Sequence, residues 1–407
     1  MKLIRTLMCR DLELLEFEAD SETGAVSSIR VLDESCNLAG HKTPSFVGWG
    51  GVKGSLIDDV ERVLHRRCIS PRRADLPEIL QATGARSAAE LTLRSNGCSL
   101  SDQYWYRPRG SQLRWEDVNF YDNDWDPSFG EAVLSRNWGA LAKASVETPD
   151  ITCNGWTRKS WIVEDGRKRL LKSSPIGGVT YLYGEIVVTH MLSRFLKPSE
   201  FTPYEMVHRY GEDYVACDNM LGSAEEHIST DCLLGLERAR FGDGVAGASS
   251  EVLNVFVREL QGIGVDSAPQ IAAKIAVVSA LSLCRDRHFF NYGIIRNVET
   301  GSYRASPLYD YGGSFGLGAP LESLRALCEN PKFLALVVTS LFRELDSSWD
   351  YAWYDPRALE GFDEELEDEL SAIDGLPATY PKIVRNAFSM QLKYVNEVAC
   401  DWAVHHA

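Results

Sequence analysis

The chain has 407 residues and a formal net charge of −16 at neutral pH, and 44% of its residues are hydrophobic. This composition allows a packed core in one large or two smaller domains and excludes global disorder. The negative charge argues against broad nucleic-acid binding, because such binding draws its affinity from cations that neutralise phosphates. We therefore expect no direct nucleic-acid partner.

The sequence contains no stretch of about 20 apolar residues, so it predicts no membrane-spanning helix and no membrane partner. The apolar run near the N-terminus is too short for a signal peptide and is followed by acidic residues. The ten cysteines are scattered without a C-x-x-C pair, which favours reduced core residues over zinc ligands or disulfides. A cytoplasmic location is the expectation that follows.

Residues 1–148 are predicted to form a mixed α/β extension. The segments 12–18 and 27–32 have the composition of strands, and residues 56–65 are predicted to form a helix. The glycine-rich segment 48–55 contains a lysine but lacks the spacing of a phosphate-binding loop, which favours an ordinary loop.

Residues 99–125 are rich in tryptophan and tyrosine. Single-stranded nucleic-acid binders interleave such aromatic residues with basic ones, whereas the charges interleaved here are mostly acidic. We therefore interpret this segment as a packing segment that covers another surface of the protein.

A second domain is predicted over residues 149–220. Residues 160–173 are predicted to form a hairpin around Asp165-Gly166, a dipeptide typical of type I′ turns. The second strand ends near Lys172, and an ammonium group there is costly to bury unless it pairs with charge. Lys172 is therefore a candidate anion-binding residue, and a solvated lysine at a strand edge is the alternative. The turn that precedes the hairpin holds Gly155 and Lys159, which are further candidates for anion contacts.

A helix is predicted over residues 180–196, and Glu185 is the only acidic residue in it. A second hairpin is predicted over 203–220. Residues 221–407 are then predicted to form a mainly helical domain. Its predicted helices cover 267–283, 320–330, 332–345, 363–373 and 380–404. The first of these helices begins with Ser267 and Gln270, the S-x-x-Q pattern of a capping box.

The stretch from Cys284 to Ser314 carries the pattern that points to chemistry. Asp286 and Asn291 lie on the predicted loop after a buried helix, and Asp310 follows the next predicted hairpin, whose strands are predicted over 292–296 and 303–309. Phosphoryl transfer uses one carboxylate that accepts a hydroxyl proton, and an asparagine and a second carboxylate that hold magnesium. The protein-kinase signature H-R-D-x-x-x-x-N followed by D-F-G has the same order. The alternative is a turn in which Asp and Asn side chains bond to their own backbone.

The same residues resemble one family. Asp286-x-His288-x-x-Asn291, followed by Pro-x-Tyr-Asp310 and Ser314, resembles the D-x-H-x-x-N … P-x-Y-D … S pattern of the HipA-like serine/threonine kinases. These are bacterial kinases that include toxins of toxin–antitoxin pairs. The resemblance implies an α+β, two-lobed protein-kinase-like fold. Its β-rich N-lobe and mainly helical C-lobe would follow the N-terminal mixed extension.

The resemblance also implies how ATP would be bound, between the two lobes and together with Mg²⁺. Lys172, oriented by Glu185, would bind the α- and β-phosphate oxygens, and Gly155 and Lys159 would contact phosphate oxygens. Backbone groups of the hinge would contact adenine. The hinge residues are Cys217, Asp218, Asn219 and Met220.

The catalytic loop receives the remaining roles. Asn291 and Asp310 would coordinate Mg²⁺, and Asp286 would accept the proton of an attacking serine or threonine hydroxyl. His288 would support the loop. The expected partner is a protein substrate with a Ser/Thr acceptor. An antitoxin-like regulator is a further expectation, although the N-terminal part differs from that of the toxin type.

Autophosphorylation near the phosphate turn is a further hypothesis. Its candidate acceptors are Thr152, Thr157, Ser160, Ser173 and Ser174. Two other functions stay open. A kinase-fold enzyme that acts on a small molecule or a lipid head group would use the same catalytic residues. A pseudokinase or binding module would not need all of them, so their joint presence argues against it.

Overall fold

The computed structural model describes residues 2–33, 56–175, 180–234, 241, 248–284, 287–330 and 345–406. The predicted loop at 48–55 and the predicted helix at 332–345 (except its last residue) lie outside this range, as does Asp286. The fold is of the mixed α+β class that the sequence predicts, with antiparallel sheets followed by helices.

Eleven strands occur in the described residues. They are β1 (Lys2–Cys9), β2 (Leu12–Asp20), β3 (Val26–Val31), β4 (Tyr104–Pro108), β5 (Lys159–Glu164), β6 (Arg167–Ser173), β7 (Glu205–Arg209), β8 (Glu212–Asp218), β9 (Glu225–Ser229), β10 (Gly293–Asn297) and β11 (Tyr303–Ala305). They form three sheets with the orders β3-β2-β1-β4, β5-β6-β8-β7 and β11-β10-β9.

The same range contains thirteen α-helices. They are α1 (Leu56–Arg66), α2 (Leu76–Thr83), α3 (Ala88–Arg94), α4 (Trp115–Val118), α5 (Ser128–Leu134), α6 (Trp138–Leu141), α7 (Tyr181–Ser193), α8 (Thr230–Leu234), α9 (Ser250–Gly262), α10 (Ala268–Leu281), α11 (Leu321–Glu329), α12 (Phe362–Ser371) and α13 (Tyr380–His406). None of these helices is long and apolar enough to cross a membrane.

The chain divides into two compact units. The first comprises Met1–Ser173, Val207–Ile228 and Ile295–Tyr303, and the second comprises Ser174–Met206, Ser229–Ile294 and Arg304–Ala407.

In the first unit, the aromatic segment is a packing segment, as predicted. Trp105, Trp115 and Trp125 are buried and form one cluster with Met8 of β1. Each large ring that leaves water on folding contributes roughly 2–3 kcal/mol of transfer free energy, which is why so acidic a segment still folds onto the sheet.

The predicted hairpin of β5 and β6 is confirmed in its strands and in its turn. Asp165 and Gly166 both have positive φ angles, 51° and 73°, which is the type I′ geometry. This turn fixes the register, so that Lys159 lies directly opposite Lys172. On the other side of β6, Lys172 is paired with Val215 of β8.

The second unit is organised around α10, whose residues are buried on nearly every side. Its neighbours are α9 and α13, and α12 packs on α13. The capping box predicted for α10 is wrong. Ser267 makes no side-chain cap bond because its backbone (φ −76°, ψ 8°) is not in the extended conformation of an N-cap. The Gln270 amide instead bonds to Asp350 and Lys274.

Other strands also differ from the sequence prediction, either in where they end or in having been missed. The return strand β11 ends at Ala305, whereas the pattern predicted a strand up to Tyr309. Pro307 lacks a ladder donor, and Leu308 forms a parallel bridge with Phe201 instead. Strands β1 and β9 were not predicted, because neither has a regular alternation of apolar and polar residues.

Candidate active site

Helix α7 of the second unit carries Glu185 and contacts the segment that contains Asp310. Glu185 is fully buried, and its carboxylate accepts a hydrogen bond of 2.6 Å from the backbone N–H of Tyr311. In the first turn of the helix, the Tyr181 hydroxyl donates to Asp310 Oδ1 at 3.3 Å. One helix therefore bonds to both the side chain of Asp310 and the backbone immediately after it.

Helix α7 and the segment after Asp310 approach each other so closely that both need a glycine at the contact. A Cβ atom on Gly184 would lie 2.6 Å from the carbonyl oxygen of Gly312. A Cβ atom on Gly312 would lie 2.2 Å from ring atoms of Tyr181. Real Cβ atoms do not come this near to backbone or to a buried ring, so both glycines permit a contact that alanine would prevent.

The segment that follows α7 forms hydrogen bonds with the backbone at and just before Asp310. Thr202 N–H donates to the Leu308 carbonyl at 2.8 Å, and Leu308 N–H donates to the Glu200 carbonyl at 2.9 Å. The Asp310 N–H donates to the Tyr204 hydroxyl at 3.3 Å. Three hydrogen bonds thus connect the backbone of Leu308 and Asp310 to one continuous stretch, residues 200–204.

Arg287 ties the catalytic loop to the same segment. Its Nη1 donates to the carbonyl of Asn291 at 2.6 Å and to the carbonyl of Tyr309 at 2.8 Å. The Tyr309 hydroxyl donates to the Phe290 carbonyl at 2.5 Å. Asn291 is buried, and these bonds hold its backbone next to the residue that precedes Asp310. Two of the predicted metal ligands are therefore anchored to a common point.

His288 takes part in the internal bonding of the loop. Its carbonyl accepts from the Asn291 N–H at 2.9 Å, and its Nδ1 accepts from the Phe290 N–H at 3.3 Å. Helix α8 supports the same loop from outside, because Thr230 donates twice to the Tyr292 carbonyl and Asp231 N–H donates to the Phe289 carbonyl. Asp286 itself lies outside the described residues.

The backbone of this region contains sparsely populated conformations. Among the described residues, eight that are not glycine have positive φ, and three of them are Leu283, Asp310 and Phe315. Such a conformation costs roughly 1–3 kcal/mol and persists only where the surroundings determine it. The bonds to Asp310 from Tyr181 and Tyr204 are surroundings of that kind.

Two phenols flank Asp310, the half-buried Tyr309 and the buried Tyr311, and both stay protonated at neutral pH. Burial raises the pKa of Tyr309, and the nearby charge of Asp310 raises it further. Burial likewise raises the pKa of Tyr311, whose ring lies 4.6 Å from the guanidinium of Arg287. Both phenols therefore remain neutral, so Asp310 has no phenolate beside it.

The first unit brings the other predicted residues together. Lys172 is 6% exposed and lies opposite Lys159, so both ammonium-bearing side chains stand on the same face of the sheet. Gly155 has a φ of 107°, and a Cβ atom on it would lie 2.5 Å from Nζ of Lys159. The turn and the two lysines form one local group.

The predicted hinge residues cover the end of a regular strand and the segment that comes after it. Cys217 and Asp218 belong to β8, and the Asp218 carboxylate pairs with Arg167 and Arg169 of β6. The Asn219 N–H donates to the Lys168 carbonyl at 2.8 Å. That N–H is therefore occupied within the first unit. Met220 comes next, in the irregular segment after the strand.

Sequence reasoning missed Arg287, Tyr181 and Tyr204. All three act through partners that are distant in sequence or through backbone carbonyls, which leave no spacing pattern. The usable signal was Arg287 itself, a charged residue directly before His288 and two phenylalanines in the loop motif. In the part of the chain that the structure describes, no cluster of three or more His, Cys, Asp or Glu side chains could hold a metal ion.

Comparison with protein-family models and with curated proteins gives no match. Among solved structures, the chain is similar to the crystal structure of the Helicobacter pylori proinflammatory kinase CtkA. The two are 12% identical, and the match covers 61% of this chain and 91% of that chain with a TM-score of 0.44.

Proposed function

We propose that the protein is an ATP- and Mg²⁺-dependent phosphotransferase of the HipA-like type that phosphorylates serine or threonine hydroxyls of a protein. One observation carries the proposal. Glu185 and Asp310 were each selected by a kinase pattern, and the Glu185 carboxylate bonds to the N–H that follows Asp310, across 126 positions of sequence. A chance match of short motifs gives no reason for Glu185 to bond to the residue that follows Asp310.

The lysine pair supports the same proposal. The pairing of Lys159 with Lys172 places two ammonium-bearing side chains on one face of the sheet, and charge-assisted hydrogen bonds from ammonium groups suit phosphate oxygens. The adjacent turn at Gly155 exposes backbone in a conformation that brings it against Lys159. Phosphate oxygens of ATP are the anion that the Asp310 and Asn291 motifs would require.

The donor set fits magnesium. Mg²⁺ prefers oxygen ligands, and Asn291 and Asp310 would supply an amide and a carboxylate oxygen. Arg287 anchors the backbone of the loop beside both residues. When bound, the ion would neutralise charge on the nucleotide phosphates.

Each of the proposed site residues would have a separate role in the reaction. Lys172 would hold the α- and β-phosphates, and Asp286 would take the proton of the acceptor hydroxyl as its oxygen bonds to the γ-phosphorus. The bond from that phosphorus to the bridging oxygen breaks, and ADP leaves. Catalysis of this kind depends on positioning and charge stabilisation, which rigidly held groups provide.

Burial reduces the number of candidate acceptors for autophosphorylation. Thr157, Ser160 and Ser173 are 2%, 1% and 2% exposed. A buried hydroxyl cannot reach a phosphate without local unfolding. Thr152 and Ser174, which are half-buried, are therefore the acceptors to examine first.

The proposal is tested by transfer of label from γ-labelled ATP with Mg²⁺ to the protein and to a cell extract, followed by phosphoamino-acid analysis. Wild type should label serine or threonine, and Asp286→Ala should abolish the label. Asp213→Ala is the control, because this carboxylate is 57% exposed near the start of β8 and its removal should leave transfer unchanged.

The outcomes separate the alternatives. ATP consumption without labelled protein would replace the protein acceptor by a small molecule or lipid head group. Nucleotide binding without consumption would favour a binding module. Absence of both would contradict the proposal altogether.

A further inference from the structure

We infer that Tyr181 is a positioning residue for metal binding: its hydroxyl fixes the carboxylate of Asp310 in the orientation that holds the divalent cation. The inference rests on the proposed function, since it assigns Asp310 to a metal. It concerns a residue that no kinase pattern marks and that lies 129 positions away in sequence.

The hydrogen bond has a defined direction. The Tyr181 hydroxyl donates and Asp310 Oδ1 accepts, at 3.3 Å. A donor to a carboxylate stabilises its ionised form, which is the form that binds a cation. A carboxylate has about four lone-pair positions over its two oxygens, so accepting this bond leaves capacity for a metal.

The tyrosine itself is immobilised. Tyr181 is 2% exposed and stands in the first turn of α7. Its ring rests on Gly312 so closely that a Cβ atom there would be 2.2 Å away. Thr180, the residue before it, donates to the Leu317 carbonyl at 2.6 Å. The ring cannot rotate away without displacing the backbone that it covers, so the hydroxyl is held in one place.

The Asp310 side chain needs such a restraint. Its residue has a φ of 63°, in the left-handed region, where the backbone is supported by its surroundings rather than by its own preference. Tyr204 accepts from its N–H, and Glu185 accepts from the next N–H. These bonds fix the main chain only. The bond from the Tyr181 hydroxyl acts on the carboxylate itself.

The experiment compares Tyr181→Phe with wild type in the full chain, using Mn²⁺ as the probe and a non-hydrolysable ATP analogue at saturation. The dissociation constant of Mn²⁺ is measured by calorimetry or from the electron paramagnetic resonance signal of free Mn²⁺. We expect Mn²⁺ to bind about tenfold more weakly to Tyr181→Phe, the scale on which partners of metal ligands act. In the transfer assay, the concentration of Mg²⁺ for half-maximal rate should rise, while kcat at saturating Mg²⁺ is largely kept.

The chain offers a matched control. Tyr380 is also buried, and its hydroxyl donates to the Phe315 carbonyl at 2.7 Å in the same glycine-rich segment. Tyr380→Phe removes a similar hydroxyl close to the site without touching Asp310. It should lower the melting temperature about as much as Tyr181→Phe does, and leave the affinity for Mn²⁺ unchanged.

Two results would overturn the inference: unchanged Mn²⁺ affinity in Tyr181→Phe, or an equal loss of affinity in both variants. Failure of the proposed function itself would look different, because wild type would then show no nucleotide-dependent binding of Mn²⁺. If Tyr181→Phe is poorly folded, Tyr181→Met gives a second variant that lacks the hydroxyl and adapts to the same space, and its Mn²⁺ affinity is judged by the same criterion.

Discussion

The two groups of predicted site residues are held in different ways. In the second unit, Asp310 and its neighbours are bonded by side chains from α7, from the segment after α7 and from the catalytic loop. In the first unit, Lys159 and Lys172 are placed by a regular hairpin whose register a two-residue turn determines. The carboxylate is fixed by many specific contacts, and the lysines are fixed by repetitive backbone pairing.

This difference predicts different sensitivities. A strand position tolerates a change of side chain, because the backbone ladder remains, so a substitution there should remove only the chemistry of that side chain. A position within the α7–Asp310 contact should affect geometry and stability together. Four substitutions test whether the distinction holds.

The largest effect is expected for Lys172→Met. Under the proposed function this change would remove a phosphate contact, and we expect transfer to fall roughly a hundred- to a thousandfold, as when other charge-stabilising donors are removed. An ATP analogue that raises the melting temperature of wild type should no longer do so in the variant. Lys143→Met, at an exposed position, is the control. A variant that still transfers phosphate at the wild-type rate would remove Lys172 from the site.

Gly184→Ala should reduce transfer about a hundredfold, because the added Cβ atom meets the Gly312 carbonyl and pushes the Asp310 segment away from its position. Overpacking should also lower the free energy of unfolding by about 1–3 kcal/mol. The matched control is Gly262→Ala, a helical glycine with nothing near its Cβ position. It should be neutral or gain up to about 1 kcal/mol. Equal behaviour of the two variants in transfer and in urea unfolding would contradict the close contact.

Arg287→Lys should cost about tenfold in kcat. A guanidinium can serve two carbonyls in fixed directions, and an ammonium group cannot reproduce that geometry. The binding of the nucleotide should change less than kcat, because Arg287 holds the loop rather than the phosphates. Steady-state kinetics give both values, and a loss confined to KM would argue against this role.

The last prediction concerns stability rather than transfer, and it involves Asp150, a buried carboxylate of the first unit. Burial raises its pKa to about 6, although Trp161 N–H and the Thr148 hydroxyl donate to it. Its protonated form is therefore favoured in the folded state. Its stabilising contribution is present below pH about 4 and is lost as pH rises through about 6, amounting to about 1–3 kcal/mol. Asp150→Asn should remove this slope in urea unfolding measured between pH 4 and pH 7. An unchanged slope would show that Asp150 stays ionised.

The hairpin that places Lys159 opposite Lys172 could be predicted from the sequence, because hairpins and type I′ turns depend on neighbouring residues. Asp165-Gly166 predicted the turn, and the turn determined the register of Lys159. Glu185 could be selected because it is the only acidic residue of its helix.

The contacts of the second unit could not be predicted in the same way. Tyr181 and Gly184 derive their roles from residues more than 120 positions away. Ser267 shows the converse. Its local pattern favoured a capping box, but Gln270 instead makes a tertiary bond to Asp350 and a bond to Lys274 one turn further along the same helix.

The left-handed backbone of Asp310 has a practical consequence for finding the acceptor. Asparagine tolerates this conformation almost as readily as aspartate, whereas alanine and glutamate do not. Asp310→Asn should therefore keep the main chain and the Tyr181 bond while removing the negative charge. Under the proposed function, such a protein would still dock its acceptor but turn over slowly, and so would serve as bait that retains the substrate long enough for cross-linking and mass spectrometry.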